Sequence, residues 1–261
     1  MSHASESGAK PARDDWDDHW TRFQVSARNN PAQAYRRKLI FALLEKHGPP
    51  ARLLDVGCGQ GDLLLEARAL LPGAELAGVE LSRAGVEAAH AKVPSAIVVQ
   101  HDLLSSAPVD PRLDHWASHA VCSEVLEHVE EPAALLRAAS AFLQPGCRII
   151  ITVPGGPRSA YDRHIGHRVH YTVATLSSLI EDAGLRAEKV FAAGFPFFNL
   201  YRRVVILRGD RLVADVDTSE GQLSFPARAV MGAFGALFHM NVTDTRWGEQ
   251  IVGVARVEGG S

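Results

Sequence analysis

The sequence predicts an α/β fold with a doubly wound, mostly parallel sheet of seven strands. Two observations support this: short β-prone segments alternate with helix-forming segments, and the first β-prone segment runs into a glycine-spaced turn. That segment covers residues 52–56, the turn covers 57–61, and a helix-forming run follows at 63–71. Glycines let a backbone turn tightly and approach a ligand where a Cβ would clash. We therefore expect a binding site at the carboxyl ends of the strands.

The later elements continue the alternation. Further strands are predicted at 77–82, 96–103, 120–129 with its following turn, 149–154, 186–192 and 250–257. A helix is predicted at 173–183, because Gly184 after it is typical of a helix carboxyl cap. Another begins at Pro31, and its apolar side chains share one face: Tyr35, Leu39, Ile40, Leu43 and Leu44. Arg36 and Arg37 in this run are interpreted as exposed charges, with contact to an anionic group of a ligand as the alternative.

The spacing of the turn indicates the charge of its ligand. The dinucleotide fingerprint is G-x-G-x-x-G, whose glycines hold a pyrophosphate at a helix N-terminus. Here the glycines are Gly57, Gly59 and Gly61, and the acid Asp55 stands two residues before the first. A carboxylate at this place repels a pyrophosphate and attracts a cation.

The string Asp55-Val56-Gly57-Cys58-Gly59-Gln60-Gly61 resembles motif I of the class I S-adenosylmethionine (SAM) methyltransferases. SAM carries an ammonium and a sulfonium and no phosphate, so the charge argument agrees with the resemblance. The resemblance covers about residues 50–190 and returns at 250–257. It implies a Rossmann-like methyltransferase sheet, SAM as the cofactor and S-adenosylhomocysteine as its product.

The resemblance also implies which residues bind SAM. In the family, an acid that ends the second strand accepts hydrogen bonds from both ribose hydroxyls, and Glu80 has that position, about 20 residues beyond the glycines. Asp102 matches the acid that contacts the adenine amino group, and Leu103 would pack on the ring. Taken alone, Asp102 would be a turn former and Glu80 a surface charge. The implied cofactor-binding set is Asp55, Gly57, Cys58, Gly59, Gly61, Glu80, Leu81, Asp102, Leu103, Ser123 and Glu124.

Histidines are the candidate catalytic residues. His128 follows the fourth strand, and a second group follows the fifth strand at residues 164, 167 and 170. Imidazole titrates near neutrality and can remove the proton of an acceptor hydroxyl as the methyl group is transferred. We rank His128 and His167 first, then His164 and His170. The competing interpretation is structural, with Glu127 and His128 capping the helix after the fourth strand.

Three functions are compatible with these residues. In the first, a histidine is the general base for O-methylation of a small molecule; the pattern E-V-L-E-H-V at 124–129 resembles the ubiquinone-pathway O-methyltransferases. In the second, Glu124, Glu127, His128 and His167 bind a divalent metal that polarises a ribose or catechol hydroxyl. The E-x-x-E-H string, followed by R-H-x-x-H-R at 163–168, resembles the small-RNA 3′-terminal ribose 2′-O-methyltransferases. In the third, the protein binds SAM as a non-catalytic partner.

Composition limits the kinds of molecule that the protein is expected to bind. The formal net charge is -3, so a small-molecule acceptor is favoured and nucleic acid is not expected. The three cysteines have no metal-type spacing and are predicted to be buried thiols. No signal peptide and no apolar span of membrane length is recognised, so the expected location is cytoplasmic.

The chain is expected to divide into a core and added segments. Residues 1–15 are predicted to be a disordered tail, and 16–48 an N-terminal helical lid that includes Trp16, Trp20 and Phe23. Residues 49–195 and 247–257 form the SAM-binding core. Residues 196–246 are an insertion, interpreted as an acceptor cap, extra core or the face of a homodimer. Four arginines interleave with its apolar residues, a pattern that is compatible with contact with a membrane surface: Arg202, Arg203, Arg208 and Arg211.

Overall fold

The computed structural model describes residues 30–218 and 225–258, and its architecture is the predicted one. Seven strands form a single sheet. They are β1 (Arg52–Val56), β2 (Glu75–Glu80), β3 (Ile97–Gln100), β4 (Ala117–Ser123), β5 (Leu143–Pro154), β6 (Leu185–Ala193) and β7 (Gln250–Val257). The helices are α1 (Pro31–Lys46), α2 (Asp62–Leu70), α3 (Arg83–Lys92), α4 (Pro132–Ala139), α5 (Ala160–His164), α6 (Val173–Asp182), α7 (Phe197–Thr218) and α8 (Phe225–Leu237).

The strand order is β3-β2-β1-β4-β5-β7-β6. Strands β1 to β5 pair in parallel, while β7 lies antiparallel between β5 and β6. The order reverses between β1 and β4, which makes their carboxyl ends the topological switch point where open α/β sheets bind ligands. Since β7 is antiparallel, its first residues reach this same edge.

Apolar side chains are buried on both faces of the sheet. One core cluster includes Leu136, Phe142, Leu176 and Ile180 on the side of α4 and α6. The other includes the buried stripe of α1, in which Tyr35, Leu39, Ile40 and Leu44 follow the predicted helical period. The two-sided burial explains why the central strands are mostly apolar rather than strictly alternating.

Some boundaries differ from the sequence prediction. Strand β5 begins at Leu143 rather than at 149, because Ala117 of β4 pairs with Leu143 before a register shift. Strand β3 ends at Gln100, so Asp102 and Leu103 lie in the turn beyond it. The start of β5 could not be predicted from residue propensities, because Pro145 and Gly146 are both typical of turns.

The insertion packs onto the N-terminal helix. Gly194 has φ 101°, and a Cβ there would lie 2.8 Å from the Cβ of Phe198, so this entry to α7 requires glycine. Five aromatic rings from α1, α7, α8 and the following short helix form a cluster with centroid separations from 5.4 to 6.1 Å: Tyr35, Phe198, Tyr201, Phe234 and Phe238. Part of the segment 196–246 is therefore core, while its use as an acceptor cap or dimer face stays a prediction.

Several predictions fall beyond the described residues. They are the tail 1–15, the residues Trp16, Trp20 and Phe23 of the lid, and the side chain of Arg211. Cys58, Cys122 and Cys147 are buried free thiols, as predicted. Within 30–218 and 225–258, no helix is both long and apolar enough to cross a membrane.

Candidate functional site

The glycine turn after β1 has the geometry that its sequence predicts. Gly57, Gly59 and Gly61 all have positive φ angles, of 72°, 52° and 76°. A Cβ on Gly57 would lie 2.6 Å from Cγ2 of Val125, and one on Gly61 would lie 2.9 Å from the Cβ of Ala89. The turn therefore needs glycine for both conformation and space. It leaves bare backbone at the start of α2, and it brings the loop after β4 directly beside it.

Glu80 is held against this turn. Its carboxylate accepts hydrogen bonds from the backbone N–H of Gly59 at 2.8 Å and of Ser82 at 2.9 Å. Only 6% of the residue is exposed. Gly85 gives it room, since a Cβ there would lie 2.9 Å from Cγ of Glu80. The carboxylate is thus fixed at the carboxyl end of β2, as the resemblance requires.

Asp55, the last residue but one of β1, is a second buried acid. Burial, reinforced by the charge of Glu80, raises the pKa of Asp55 from 3.8 to about 7. Two neighbouring buried carboxylates repel each other, and a ligand with a positive charge relieves that cost. The bare glycine backbone and the two acids therefore fit a cationic ligand such as SAM, and they disfavour a pyrophosphate.

The remaining predicted cofactor residues line the same edge of the sheet. Leu81, Asp102 and Leu103 follow β2 and β3 and are half-buried. Asp102 accepts a hydrogen bond from the N–H of Leu104 at 3.0 Å, so its carboxylate also closes its own turn. Its adenine contact stays a prediction, compatible with this position.

Glu124 is fixed by α1 and β7. It has φ 57°, a strained value for a residue with a side chain. Its carboxylate lies 3.0 Å from Nη2 of Arg36, and it accepts hydrogen bonds from Gln250 at 3.0 Å and Thr152 at 3.3 Å. Arg36 also donates to Gln250 at 2.9 Å. The expectation that Arg36 is an exposed charge is wrong, because 12% of its side chain is exposed.

Three of the four predicted histidines meet beyond the ends of β4 and β5. The ring centroids of His128 and His167 are 4.7 Å apart, and those of His167 and His170 are 5.3 Å apart. His164, at the end of α5, is exposed and lies outside this group. We call His128, His167 and His170 the histidine cluster.

The loop that carries the cluster is tied to the turn after β4. The N–H of Arg168 donates to the carbonyl oxygen of Glu127 at 2.7 Å, and its Nε donates to that of His128 at 2.8 Å. The hydroxyl of Tyr171 donates to the carbonyl oxygen of Leu126 at 3.0 Å. Tyr171 therefore helps to hold the site together.

Glu127 lies on the inner side of the cluster. Its Oε1 is 4.0 Å from Nε2 of His128 and 3.9 Å from Nε2 of His167. The side chain is fully buried, and neither carboxyl oxygen has a hydrogen-bond partner among the described residues. Burial, together with the charge of Glu124, raises the pKa of Glu127 well above its ordinary value. Burial and the neighbouring His128 and His170 lower the pKa of His167 to about 2.

Glu127 and two histidines of the cluster together offer ligand atoms for a cation. Glu127, His128 and His167 each place one ligand atom within 4.8 Å of the others. A buried carboxyl without partners is costly, and a metal ion would provide its missing interaction. Glu124, the fourth predicted ligand, is directed to Arg36 instead of to this group. The structure thus brings together three of the four residues in the metal alternative and separates Glu124 from them.

A second set of polar residues surrounds the far side of His167. Asp162 lies 3.9 Å from His167 and 3.8 Å from His170. It also accepts a hydrogen bond from the N–H of Ser159 at 2.7 Å and lies 3.4 Å from Nη2 of Arg202. Arg202 lies on α7, for which the sequence showed only that arginines interleave with apolar residues. Gln250 and Arg202 were missed as site residues because neither the antiparallel placement of β7 nor the path of α7 is visible in a local motif.

Comparisons with known proteins identify the family of the chain. A family profile described as "Methyltransferase domain" matches residues 27–190. Ubiquinone biosynthesis O-methyltransferase of Xanthomonas campestris pv. campestris (strain B100) is 37% identical over 114 residues, covering 40% of this chain and 43% of that protein. The protein of the same name from Aeromonas salmonicida (strain A449) is 30% identical over 151 residues, covering 51% and 62%. The chain thus spans less than two thirds of the length of these relatives.

Solved structures share the fold at low sequence identity. Phosphoethanolamine N-methyltransferase 2 of Haemonchus contortus, in complex with S-adenosyl-L-methionine, has a TM-score of 0.61 at 16% identity, covering 94% of this chain and 60% of that one. The [4+2]-cyclase SpnF has a TM-score of 0.56 at 18% identity, covering 86% and 82%. The two names describe different chemistry on one architecture, so the fold alone does not define a reaction.

Proposed function

The chain belongs to the class I SAM-dependent methyltransferase superfamily, and from this premise we propose that it transfers the methyl group of SAM to a hydroxyl oxygen of a small-molecule acceptor. The observation that carries the proposal is the close approach of the turn after β4, which carries His128, to the glycine turn. Val125, which meets Gly57, stands three residues before His128. A cofactor held by the turn would therefore lie beside a group that can accept a proton.

The relatives support oxygen as the methyl acceptor. Those from both bacteria are named for O-methylation in ubiquinone biosynthesis. A net charge of -3 agrees with a small acceptor rather than a nucleic acid. We therefore propose a hydroxylated aromatic compound as the acceptor class, because a phenolic or catechol hydroxyl is acidic enough to lose its proton to an imidazole during transfer.

Each part of the site has a role in this proposal. SAM, when bound, supplies a methyl group on a positively charged sulfur and leaves as S-adenosylhomocysteine. Glu80 and Asp55 hold the cofactor, and the glycine turn allows its close approach. His128 takes the proton of the acceptor hydroxyl while that oxygen bonds to the methyl carbon. The low pKa of His167 makes it a weak base, so we assign it an accepting role as a neutral imidazole.

A turnover assay with matched variants tests the proposal. Purified protein is incubated with SAM and a panel of catechols and phenols, and formation of S-adenosylhomocysteine is measured. His128→Gln is expected to lower turnover by about 100-fold, since general base catalysis contributes about 10²–10⁴-fold, while SAM affinity stays near normal. His90→Gln, on the exposed face of α3, is the control. Full turnover in both His128→Gln and His167→Gln would reject a histidine base.

A metal-assisted O-methyltransferase is the second candidate function. The specific observation in its favour is Glu127, whose buried carboxyl oxygens have no hydrogen-bond partner among the described residues while two imidazoles lie within 4.0 Å. Glu127, His128 and His167 would hold Mg²⁺, Mn²⁺ or Zn²⁺, and such an ion would polarise the acceptor hydroxyl.

Metal content separates the two candidates. In the metal-assisted case, elemental analysis finds about one equivalent of a divalent ion, EDTA removes turnover, and adding the ion back restores it. Glu127→Gln is expected to lose the ion, whereas Glu75→Gln, exposed on β2, retains it. A metal-free protein whose turnover is insensitive to EDTA would exclude this candidate. SAM binding without any S-adenosylhomocysteine formation across the panel would favour the non-catalytic alternative.

A further inference from the structure

We propose that His170 is a positioning residue that keeps the proton of neutral His167 on Nδ1, so that the Nε2 lone pair of His167 faces the reaction site. This proposal deepens the proposed function and rests on it for its catalytic meaning. It concerns a hydrogen-bonded series of three groups: the carbonyl of Gly156, the ring of His170 and the ring of His167.

The direction of the series is set by its first member. Nδ1 of His170 lies 3.0 Å from the carbonyl oxygen of Gly156. A carbonyl oxygen only accepts hydrogen bonds, so Nδ1 of His170 must carry a proton. In a neutral imidazole the other nitrogen then has none, and Nε2 of His170 can only accept.

The second hydrogen bond passes this constraint to His167. Nδ1 of His167 lies 3.1 Å from Nε2 of His170. Because Nε2 of His170 accepts, Nδ1 of His167 must donate, and the single proton of that neutral ring is therefore on Nδ1. Nε2 of His167 is left as a lone pair, and it is this atom that lies 3.9 Å from Oε1 of Glu127.

The surroundings of His170 enclose its ring. Its side chain is 5% exposed, so a second proton on the ring would lie where there is little contact with water. Arg202, which lies 3.4 Å from Asp162, opposes a further positive charge in this region. The carbonyl that begins the series is also fixed: Gly156 has φ 68°, and a Cβ there would lie 2.8 Å from Cδ of Glu249.

The lone pair on Nε2 serves both candidate functions. An imidazole that accepts a proton or a hydrogen bond from the acceptor needs an unprotonated nitrogen on that side, and so does an imidazole that binds a metal. Partners of this kind, which orient a functional histidine through its other nitrogen, change activity or metal affinity by about 10- to 100-fold when they are removed.

A spectroscopic measurement tests the tautomer directly. Protein with ¹⁵N-labelled histidine is examined by long-range ¹H–¹⁵N correlation at neutral pH, and the signals of His167 are assigned by comparison with His167→Gln. The proposal expects a protonated Nδ1 and an unprotonated Nε2 for His167, whether or not a metal is bound. A protonated Nε2 on His167 would overturn it, independently of turnover.

Two substitutions at His170 test its consequence. His170→Phe keeps a ring but removes the acceptor, and turnover is expected to fall about 10- to 100-fold at unchanged SAM affinity. His170→Gln retains an oxygen that can accept from Nδ1 of His167, and it is expected to recover most of the turnover. Equal turnover in His170→Phe and wild type would refute the positioning role, as would loss without recovery in a folded His170→Gln. If His170→Phe does not fold, the tautomer of the wild-type protein decides the question. A wild type with the expected tautomer and no methyl transfer would instead refute the proposed function alone.

Discussion

At the residue scale, backbone amides hold acids in place beyond the carboxyl ends of the strands. Glu80 shows this best, because the two N–H groups that it accepts from belong to the glycine turn and to the start of α3. Under the proposed function, a carboxylate oriented in this way would bind ribose hydroxyls without first losing freedom, which favours affinity.

Glu80→Gln is therefore expected to weaken SAM binding by about 10- to 100-fold, since hydrogen bonds to a charged group contribute about 1.5–3 kcal/mol. Titration calorimetry with SAM and S-adenosylhomocysteine measures this change. Glu87→Gln is the matched control, because Glu87 is exposed on α3 and pairs only with Arg83 among the described contacts. Unchanged affinity in Glu80→Gln would remove the basis for placing the ribose here.

Asp55 gives the protein a specific dependence on pH. Its pKa is raised from 3.8 to about 7 in the folded state, so between pH 4 and 7 the native protein holds a proton that the unfolded chain has lost. The contribution of Asp55 to the free energy of unfolding is complete below pH 4 and is lost as pH rises through 7. Asp55→Asn cannot titrate and is expected to become more stable relative to wild type between pH 5 and 8.

Urea unfolding of both proteins across this pH range measures the effect. Asp114→Asn, at an exposed position before β4, serves as the control and should follow wild type. Parallel pH profiles of Asp55→Asn and wild type would show that Asp55 titrates normally in the native state.

At the scale of elements, α1 packs on the sheet through its apolar stripe and also extends one polar side chain into the site. Arg36 contacts Glu124 after β4 and Gln250 at the start of β7, while its neighbour Arg37 pairs with Glu66 on α2. The first pair is largely buried, and the second is partly exposed. The two adjacent arginines therefore provide a comparison between a buried and a surface ion pair within one helix.

Arg36→Met is expected to lower the free energy of unfolding by about 3 kcal/mol, because it leaves a largely buried carboxylate without its partner. Arg37→Met should cost less than about 1 kcal/mol. Urea unfolding compares the two variants. Replacing Glu124 by Gln in the Arg36→Met background should recover part of the loss, and equal costs for the two single variants would contradict the structural distinction.

At the scale of the whole molecule, most of the parallel sheet could be predicted from local patterns. Three features show this: the glycine turn after β1, the acid that ends β2 and the alternation of elements up to β5. In each, an apolar strand is followed directly in the sequence by a turn residue, so a short stretch of sequence is enough to predict it. The histidines near the ends of β4 and β5 could be brought together in the same way, because parallel strands end at one edge.

What the patterns did not reveal depends on long-range placement. Arg202 reaches Asp162 only because α7 folds back over α5, and Gln250 reaches Glu124 only because β7 runs antiparallel. Neither relation leaves a periodic signal. The wrong expectation for Arg36 has the same origin, since a helical period shows which face is apolar but not what a long polar side chain meets at the end of the sheet.

The position of β7 has a consequence for how the protein is made. In the described structure β6 pairs only with β7, yet β7 leaves the ribosome after the whole segment from α7 to α8. At about 5–20 residues per second, that segment takes several seconds to synthesise. During this interval β5 and β6 present unpaired edges, which are templates for aggregation. Slow translation through residues 197–249, or a chain shortened before Gln250, would prolong this exposure. The addition of β7 therefore limits the time during which the nascent protein is prone to aggregate through these edges.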